Sequence, residues 1–541
     1  MTASTAVRFN LIDEPWIPVR TRDGGVGERS IRSILCESSS IRVVSGDIPT
    51  QAFAIQRLLL AIVRRAIDWG RKPVPRWEQI WQERTLPQQE IGDYLDRVHD
   101  RFDLLDPTRP FYQVADFETA AGGFKPPSLL ISDIPSGAKY FTTRAGAGAD
   151  RLDFAEAARW VVHCQCFDPS GIKSGDPRDP RTKGGKGYPI GIAWGGQLGG
   201  VLFEGRNLFE TLMLNTVLRT SSGSTVHDDD LPPWEREHPG IAEREDADPV
   251  GPVDSLTWQS RRIRLQHNDN HVVGVLVGNG DAIRSFNQHH VEFMTAWRFS
   301  PVQSKKFGEP RYFPRSLDPD RSLWRGLDAL LADTQVSGSE HGFGAGVSNW
   351  IDFLVEEDIL DRSLFVRPHA LALEYINNSS IIGASIDDEV RIRVSVIGRG
   401  SELRVYATRA VQIADDAVAA LVNLAGNLVD AAGGDSTSTR QSTRAQAFFA
   451  LDEPYLTWLA ELGDEIGLEA HVEAWQAQVR AIVSDIGSDL IAAAGDPAWK
   501  GRMVRDRWLD SSLASGFFWS ALRKALPAAF DSATIQKGGT P

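Results

Sequence analysis

The feature that most constrains the fold is a series of amphipathic helical stretches after about Glu402. Apolar side chains recur there every three or four residues, which places them on one face of a helix. The four stretches are marked by Val418, Leu421, Val422, Ala425, Leu428 and Val429; by Ala445–Leu462; by Val472, Trp475, Val479, Ile482, Ile486 and Leu490; and by Leu513, Phe517, Leu522 and Leu526. We expect a kink at Pro454 in the second stretch. Four such helices in succession predict an antiparallel four-helix bundle.

The sequence before the helical stretches mixes strand and helix signals. Residues 52–67 have apolar side chains at helical spacing, whereas the apolar runs at 262–265 and 272–277 flank a polar turn and predict a β-hairpin. A chain of 541 residues is also too long for a single core. The predicted fold class is therefore α+β, with a large mixed N-terminal domain at residues 1–400 and the four-helix bundle at 401–541.

Two irregular regions interrupt the N-terminal part. Glycine and proline are dense between residues 106 and 200, which leaves little room for long helices. Residues 220–252 are acidic and rich in serine and proline, and we expect them to form a mobile loop.

Cysteine content and hydropathy set the compartment. The three cysteines, Cys36, Cys164 and Cys166, cannot form a disulfide framework in so long a chain, which favours a reducing environment. The first residues lack the pattern of a signal peptide, and no run of 18 uncharged apolar residues occurs. We therefore expect a cytoplasmic protein.

The net charge of −14 argues against a simple nucleic-acid binder, which usually carries a basic excess. The charge is unevenly distributed, however. The stretch from residue 171 to 190 is locally basic, because it sets Lys173, Arg178, Arg181, Lys183 and Lys186 against Asp176 and Asp179. Any contact with DNA should therefore be confined to patches.

The segment Gly171–Tyr188, GIKSGDPRDPRTKGGKGY, is the strongest candidate for a binding loop. Its glycines would let backbone amides approach phosphates, and its basic side chains would add charge. It is not a Walker A loop, because Pro180 stands where the first glycine should be and Gly187 replaces the serine or threonine after the lysine. Two interpretations stay open on the pattern alone: a flexible surface loop with solvated charges, or a phosphate or nucleic-acid contact.

Catalytic and metal sites have little support. Cys164 and Cys166 with His163 do not match a usual zinc spacing and have no second pair, so buried structural residues are the better interpretation. The run Asp387–Glu389 could offer paired acids for a nuclease, but a solvated turn accounts for it more simply. Nucleophile-elbow and zinc-helix motifs are absent from the sequence. We predict no catalytic residue, no metal and no cofactor.

Four segments in order resemble the CasA family, the large subunit of type I-E CRISPR Cascade complexes. They are FNLIDEPWIPV at residues 9–19, RPFYQ at 109–113, FDPSGIKSG at 167–175 with KGGKGYP at 183–189, and LEYINN at 373–378. The C-terminal part is similar to the family in architecture alone, since a four-helix bundle is also what the family carries.

The resemblance implies a role in recognition and not an enzymatic reaction. It implies that the chain reads the PAM of double-stranded target DNA from the minor groove, helps to start the R-loop and recruits a helicase–nuclease. Its partners would be the other Cascade subunits, the 5′ end region of the guide RNA, the target duplex and the recruited nuclease. Some members carry a four-cysteine zinc site, and this chain lacks those cysteines.

The resemblance also assigns candidate site residues. The glycine loop that approaches DNA falls on Gly171, Ile172, Lys173, Ser174 and Gly175, where Lys173 interrupts the glycines and adds a phosphate contact. The wedge hairpin falls on Asn377, Asn378, Ser379 and Ser380, the basic finger on Arg284, and the flexible-loop contacts on Phe141, Thr142, Thr143 and Arg144. Arg178, Arg181, Lys183 and Lys186 complete a basic patch.

Two other classes of function remain open on the sequence. One is a cytosolic hydrolase or phosphotransferase that uses the loop at residues 171–188 over a phosphate. The other is a structural scaffold whose 16 tryptophans bury partner surfaces.

Overall fold

The computed structural model describes residues 7–120, 122–132, 147–331, 342–463 and 467–530. The chain divides into two compact units. The first unit is built from Met1–Pro319, Ala329–Leu360 and Val366–Glu389, and the second from Asp320–Asp328, Asp361–Phe365 and Val390–Pro541. Helices and strands are mixed in the first unit, whereas long helices dominate the second. The predicted α+β class is confirmed.

The first unit contains short helices and several small antiparallel sheets. Its helices are α1 Ile31–Cys36, α2 Pro49–Ala66, α3 Pro73–Glu83, α4 Gln88–Val98, α5 Ala147–Asp150, α6 Phe154–Phe167, α7 Leu208–Asn215, α8 Pro252–Leu256, α9 Pro301–Phe307 and α10 Gly346–Glu356. Its strands are β1 Ile17–Thr21, β2 Val26–Arg29, β3 Ile41–Val44, β4 Lys173–Ser174, β5 Thr182–Lys183, β6 Lys186–Gly187, β7 Gly200–Glu204, β8 Arg219–Thr220, β9 Gly223–Ser224, β10 Arg261–His267, β11 Val272–Asn279, β12 Trp297–Phe299, β13 Tyr312–Pro314, β14 Phe365–Ile376 and β15 Ile381–Glu389.

Helix α2 forms the centre of this unit. It is buried along nearly its whole length, including the side chain of Arg57. A buried guanidinium requires a compensating charge, and Glu292 supplies it, with Arg57 Nη2 2.8 Å from Glu292 Oε2. Ser255 and Trp194 also donate to Glu292, so that its carboxylate is fully engaged.

Two hairpins frame the region of the predicted sites. Strands β10 and β11 pair antiparallel, which confirms the hairpin expected at residues 262–277. Strand β14 pairs antiparallel with β15 along most of its length and with β7 on its other side. The turn between β14 and β15 consists of residues 377–380.

The acidic stretch at residues 220–252 is irregular but well anchored. Trp234 is buried, and its ring lies 5.0 Å from that of Phe102. The buried carboxylate of Asp230 accepts hydrogen bonds from the backbone N–H groups of Val253 and Asp254. The expected mobile loop is therefore tied to the core at several points, because its aromatic and acidic side chains find distant partners that composition alone does not reveal.

The second unit is a bundle of long helices. Its elements are β16 Ile392–Arg393, α11 Val394–Ile397, α12 Glu402–Ala432, α13 Thr437–Glu461, α14 Leu468–Ala492, α15 Asp496–Lys500, β17 Arg502–Val504, β18 Arg507–Leu509 and α16 Ser511–Ala525. The four predicted stretches fall within α12, α13, α14 and α16, and Pro454 lies inside α13. Helix α12 packs against the other three. Helix α15 and the β17–β18 hairpin, between the last two long helices, have no counterpart in the four predicted stretches.

Among the described residues, no helix combines the length and the apolar character that crossing a membrane requires.

Candidate nucleic-acid interface

The predicted glycine loop is a small folded element. It follows α6 and forms a three-stranded antiparallel sheet in the order β4, β6, β5. Gly184 and Gly185 connect β5 to β6 with φ angles of 59° and 73°. Such positive values at both turn positions favour glycine and give a tight hairpin turn. Residues 173–187 therefore contain a small folded sheet rather than irregular chain alone.

The two glycines that flank the loop have different roles. Gly171 has φ of 154°, and a Cβ atom on it would meet nothing within 4 Å. A Cβ atom on Gly175 would lie 2.5 Å from Thr182 Oγ1 and 3.0 Å from Gly187 N. Gly175 is thus required by packing inside the small sheet, whereas the open side of Gly171 is accessible to a binding partner. Next to it, Ile172 is 59% exposed, which is unusual for a large apolar residue.

The turn between β14 and β15 has an uncommon backbone. Asn377, Asn378 and Ser379 adopt φ angles of 50°, 56° and 63°, a left-handed conformation that asparagine tolerates better than most residues. Ser380 closes the turn, because its N–H donates to Ile376 O at 3.1 Å and its hydroxyl donates to Asn377 O at 2.7 Å. Asn377 and Asn378 are exposed at the tip.

The structure brings the glycine loop and this turn together. Ser170 N donates to Ser379 O at 2.9 Å. Below the turn, Tyr375 Oη donates to Phe167 O at 2.6 Å. Two predicted sites that lie about 200 residues apart in the sequence therefore form one continuous surface, and these two hydrogen bonds hold them together.

The predicted basic side chains differ in how far their charge is compensated. Lys173 Nζ lies 2.5 Å from Asp168 Oδ2. Arg178 pairs with Asp116 and Asp176. Because carboxylates neutralise them, Lys173 and Arg178 offer less positive charge to a phosphate than the sequence suggests.

Arg181 and Arg284 are compensated in the same way. Arg181 pairs with Asp179 and Glu243, at 2.9 and 3.1 Å. Arg284 Nη1 lies 3.1 Å from Asp248 Oδ2. The basic finger predicted at Arg284 is thus held against the acidic stretch at residues 220–252.

Lys183 and Lys186 contrast with these arginines. Both are exposed and face each other across β5 and β6. In the ranges that the structure describes, neither lysine has a carboxylate partner within 4 Å, so no ion pair offsets the positive charge of either ammonium group. The remaining predicted contacts, Phe141, Thr142, Thr143 and Arg144, lie outside the described residues.

Cys164 and Cys166, near the loop, and His163 beside them are buried groups with partners of their own. His163 lies between two hydroxyls, with Nε2 3.0 Å from Thr50 Oγ1 and Nδ1 3.1 Å from Ser132 Oγ. Burial lowers the pKa of His163 to about 3 and raises the pKa of Cys166 to about 12. Burial likewise raises the pKa of the Cys164 thiol. The two hydroxyl contacts engage both ring nitrogens of His163, and the buried thiols beside it are protonated at neutral pH, so these side chains act as packing groups in this structure.

Within the described ranges, one group of side chains could offer three metal ligands. Glu204, His369 and Glu389 each place one donor atom within 4.8 Å of the others. However, His369 is bonded through Nδ1 to Glu204 at 3.0 Å and through Nε2 to Asp387 at 2.6 Å, and Arg367 bridges Glu204 and Glu389. Burial would lower the pKa of His369, but hydrogen bonds to Asp387 and Glu204 outweigh it and raise the pKa to about 9. In this structure the donor atoms of the group are therefore engaged by one another and by Arg367 and Asp387.

Of the acids considered for a nuclease, the adjacent pair Asp387 and Asp388 does not converge. Asp387 and Asp388 are consecutive residues of β15, so their side chains point to opposite faces of the sheet. Asp387 is engaged by His369, which lowers the pKa of its carboxyl. The two carboxylates cannot chelate one ion together.

A second basic surface was missed in the sequence analysis. Helix α9 carries the adjacent pair Lys305 and Lys306 in its last turn and exposes two apolar residues, Val302 at 76% and Phe307 at 55%. Arg311 lies over the Phe307 ring, with Cζ 4.7 Å from its centroid. In the sequence, the signal for this basic surface is the pair of adjacent lysines after a short polar run.

Comparisons with known proteins agree on one family. Residues 10–486 match the model of the CRISPR-associated protein Cse1 family. A CasA/Cse1 protein of Thermus thermophilus is 31% identical over 335 residues, and this match spans 60% of each chain. The crystal structure of Thermobifida fusca Cse1 is similar with a TM-score of 0.89 and 41% identity, over 97% of this chain and 99% of that one. A chain of a CRISPR RNA-guided surveillance complex shares the fold at 18% identity and a TM-score of 0.62, over 90% of this chain and 99% of that one.

Proposed function

The chain belongs to the CRISPR-associated protein Cse1 family, and we propose that it is the large DNA-reading subunit of a type I-E Cascade complex. Other Cascade subunits would carry the guide RNA, with this chain near the 5′ end region of the guide. Base pairing reads the target in such a division of labour, while the protein reads the short PAM beside it. The subunit would then help to open the duplex and recruit the helicase–nuclease.

The observation that carries the proposal is the hydrogen bond between Ser170 N and Ser379 O, which joins the glycine loop to the hairpin turn. Reading a flanking motif and opening the adjacent base pairs must occur within one or two base-pair steps. A surface that holds both elements side by side meets this requirement. Separate mobile loops would have to be ordered at each binding event, which weakens binding.

The glycine loop suits the minor groove. This groove is about 6 Å wide and presents a degenerate pattern of donors and acceptors. The side of Gly171 that lacks a Cβ atom is open, so backbone could approach the base edges there. Exposed Ile172 would add an apolar contact, and Lys183 and Lys186 would meet the phosphates. We expect tolerance of several PAM sequences, because readout from this groove is limited.

The hairpin turn suits duplex opening. Unstacking one base step costs on the order of a few kcal/mol, so the inserted element must not deform. Three left-handed residues closed by Ser380 make the turn compact, and Asn377 and Asn378 form its leading edge. The side chains of Ser379 and Ser380 are partly buried behind them. In this proposal the chain binds DNA without cutting it, and cleavage belongs to the recruited helicase–nuclease.

The test uses the complex assembled from this chain, its partner subunits and a guide RNA. Gel shifts with duplexes that match the guide but differ in the flanking motif should show a strong preference for some motifs. A fluorescent base analogue at the first target position should report slower opening, by severalfold, for the double variant Asn377→Gly and Asn378→Gly, with motif preference unchanged. These changes remove the side chains of the leading edge, and glycine tolerates the left-handed backbone of the turn.

Three results would count against the proposal. Binding that ignores the flanking motif would remove the reading role, and unchanged opening kinetics in the double variant would remove the wedge from this turn. Nucleotide hydrolysis by the repurified chain that is lost on mutation of the loop at residues 171–188 would favour a phosphotransferase instead.

A further inference from the structure

A cluster of three charged side chains lies at the base of the glycine loop. Asp168 Oδ2 accepts from Arg261 Nε at 2.5 Å and lies 2.5 Å from Lys173 Nζ. The side chain of Arg261 is 1% exposed, that of Asp168 10% and that of Lys173 14%. Burial would raise the pKa of Asp168, but attraction by Arg261 and Lys173 outweighs it and lowers the pKa. The carboxylate is therefore ionised at neutral pH.

The cluster carries one positive charge in excess. One carboxylate faces two cations, and neither Arg261 nor Lys173 has a second carboxylate within 4 Å among the residues that the structure describes. A buried ionic group is normally balanced, because desolvated charge is costly. Arg178 and Arg181 lack such an excess of positive charge, because each of them pairs with two carboxylates.

Arg261 is fixed in place by backbone groups. Its Nη1 donates to Ser260 O at 2.9 Å, and its Nη2 lies within 3.1 Å of the carbonyl oxygens of Asp168, Pro169 and Gly191. The guanidinium therefore cannot turn toward solvent. Lys173 is the most exposed member of the cluster, at 14%, and its ammonium has donors in addition to the one that Asp168 takes.

We infer that Arg261 and Asp168 are positioning residues that preorganise Lys173 to bind a backbone phosphate of the DNA duplex. Lys173 follows Gly171 by two residues, Asp168 holds its ammonium in place, and Arg261 offsets the charge of Asp168. A Lys173–Asp168 pair alone would be neutral and would attract phosphate weakly. With Arg261 the cluster keeps one excess positive charge. Lys173 presents this charge, and because its side chain is already held in place, binding costs less conformational entropy.

This inference rests on the proposed function. It adds a source for the part of the DNA affinity that is the same for every DNA sequence. Phosphate contacts position a protein on DNA but carry no sequence information. Lys173 should therefore contribute equally to targets with every flanking motif. The loop backbone at Gly171 should instead discriminate between motifs.

The test measures how target binding by the assembled complex depends on salt. Each neutralised phosphate contributes about 0.9 to the slope of log K against log salt concentration. Lys173→Met should reduce the slope by about this amount. Between 50 and 200 mM salt, the loss of affinity of the variant should then be smaller than that of the wild type by a factor of roughly three. Motif preference should be unchanged. Lys72→Met, an exposed lysine at the start of α3 that belongs to no part of the interface, is the matched control and should leave the slope as it is.

Variants of Arg261 separate an electrostatic role from a merely structural one. Arg261→Met should lower the slope as Lys173→Met does, and the two changes together should lower it no further. Arg261→Lys should restore the slope, because lysine keeps the charge even though it cannot make the same backbone hydrogen bonds. Thermal unfolding identifies any variant that is not folded, and in that case Lys173→Met and Arg261→Lys decide the question.

The outcomes distinguish this inference from the proposed function. A wild-type complex that shows no motif-dependent binding would overturn the function itself. A wild-type complex that binds normally, while Lys173→Met has the same slope, would overturn only the phosphate contact. A folded Arg261→Lys variant with the reduced slope would show that Arg261 supports the loop without setting its charge.

Discussion

The helical bundle of the second unit and the DNA interface proposed in the first are built in contrasting ways. In the bundle, each long helix carries its own apolar face, and residues such as Trp475 and Leu421 are buried as this pattern predicts. In the interface, β4, β5 and β6 are two residues long and have no periodicity of their own. They are held by polar contacts to distant segments, such as the ion pair between Arg181, next to β5, and Glu243. Packing therefore stabilises the bundle, whereas specific polar contacts fix the interface.

The largest effect is expected from a cavity in the bundle. Trp475 is fully buried, its Nε1 donates to Ala410 O at 2.9 Å, and its ring contacts that of Tyr455. Trp475→Ala should reduce the free energy of unfolding by about 3–5 kcal/mol, measured by urea denaturation. Phe449→Ala, at a position of α13 that is 85% exposed, is the control and should have little effect. A small loss at Trp475 would break the comparison, because the bundle would not depend on core packing.

A smaller effect is expected from pH, and it should be confined to the first unit. The pKa of His369 is raised to about 9 by Asp387 and Glu204, above the ordinary value of about 6.5. The stabilisation is complete below about pH 6.5 and is lost as the pH rises through about 9, and it amounts to at most about 3 kcal/mol. Amide hydrogen-exchange protection in β14 and β15 should fall over this interval while that of α12 stays constant.

The control for the pH effect is His369→Gln, which cannot become charged and should remove the pH dependence from β14 and β15. Protection that falls equally in α12, or that still falls in the variant, would show that the ion pairs at His369 are not the cause.

The smallest free-energy change is expected at the two glycines, but it is the most informative about the interface. Gly171→Val should weaken binding of duplex targets by about tenfold, or roughly 1.4 kcal/mol, because the new side chain occupies the open face of the loop. A target that is already opened as a bubble should be affected much less. Binding is measured with the assembled complex on both targets.

Gly175→Val provides the matched comparison. Its side chain would collide with Thr182 inside the small sheet, so the loop should lose its shape and bind both targets poorly. Equal losses on duplex and bubble for Gly171→Val would mean that Gly171 also serves the fold and has no special contact with the duplex.

The segments that carry the family resemblance illustrate how far sequence reasoning reached. Trp16 of the first segment is buried and its Nε1 donates to Leu11 O, and Gln113 of the second segment donates to Leu104 O. These residues hold the core of the first unit. The third and fourth segments, in contrast, contain Ser170 and Tyr375, which join the loop to the hairpin turn.

The sequence by itself determined the α+β class, the four long helices, the β10–β11 hairpin and the family, because these depend on local periodicity or on ordered motifs. Only the tertiary structure decided which charges remain available. Arg178, Arg181 and Arg284 are each compensated by a carboxylate from a distant segment, while Lys183 and Lys186 have no such partner among the described residues. It also decided that Asp168, Lys173 and Arg261 meet with one positive charge in excess. Charge compensation depends on distances of a few ångströms between residues that can lie 93 positions apart, and no pattern along the chain encodes such distances.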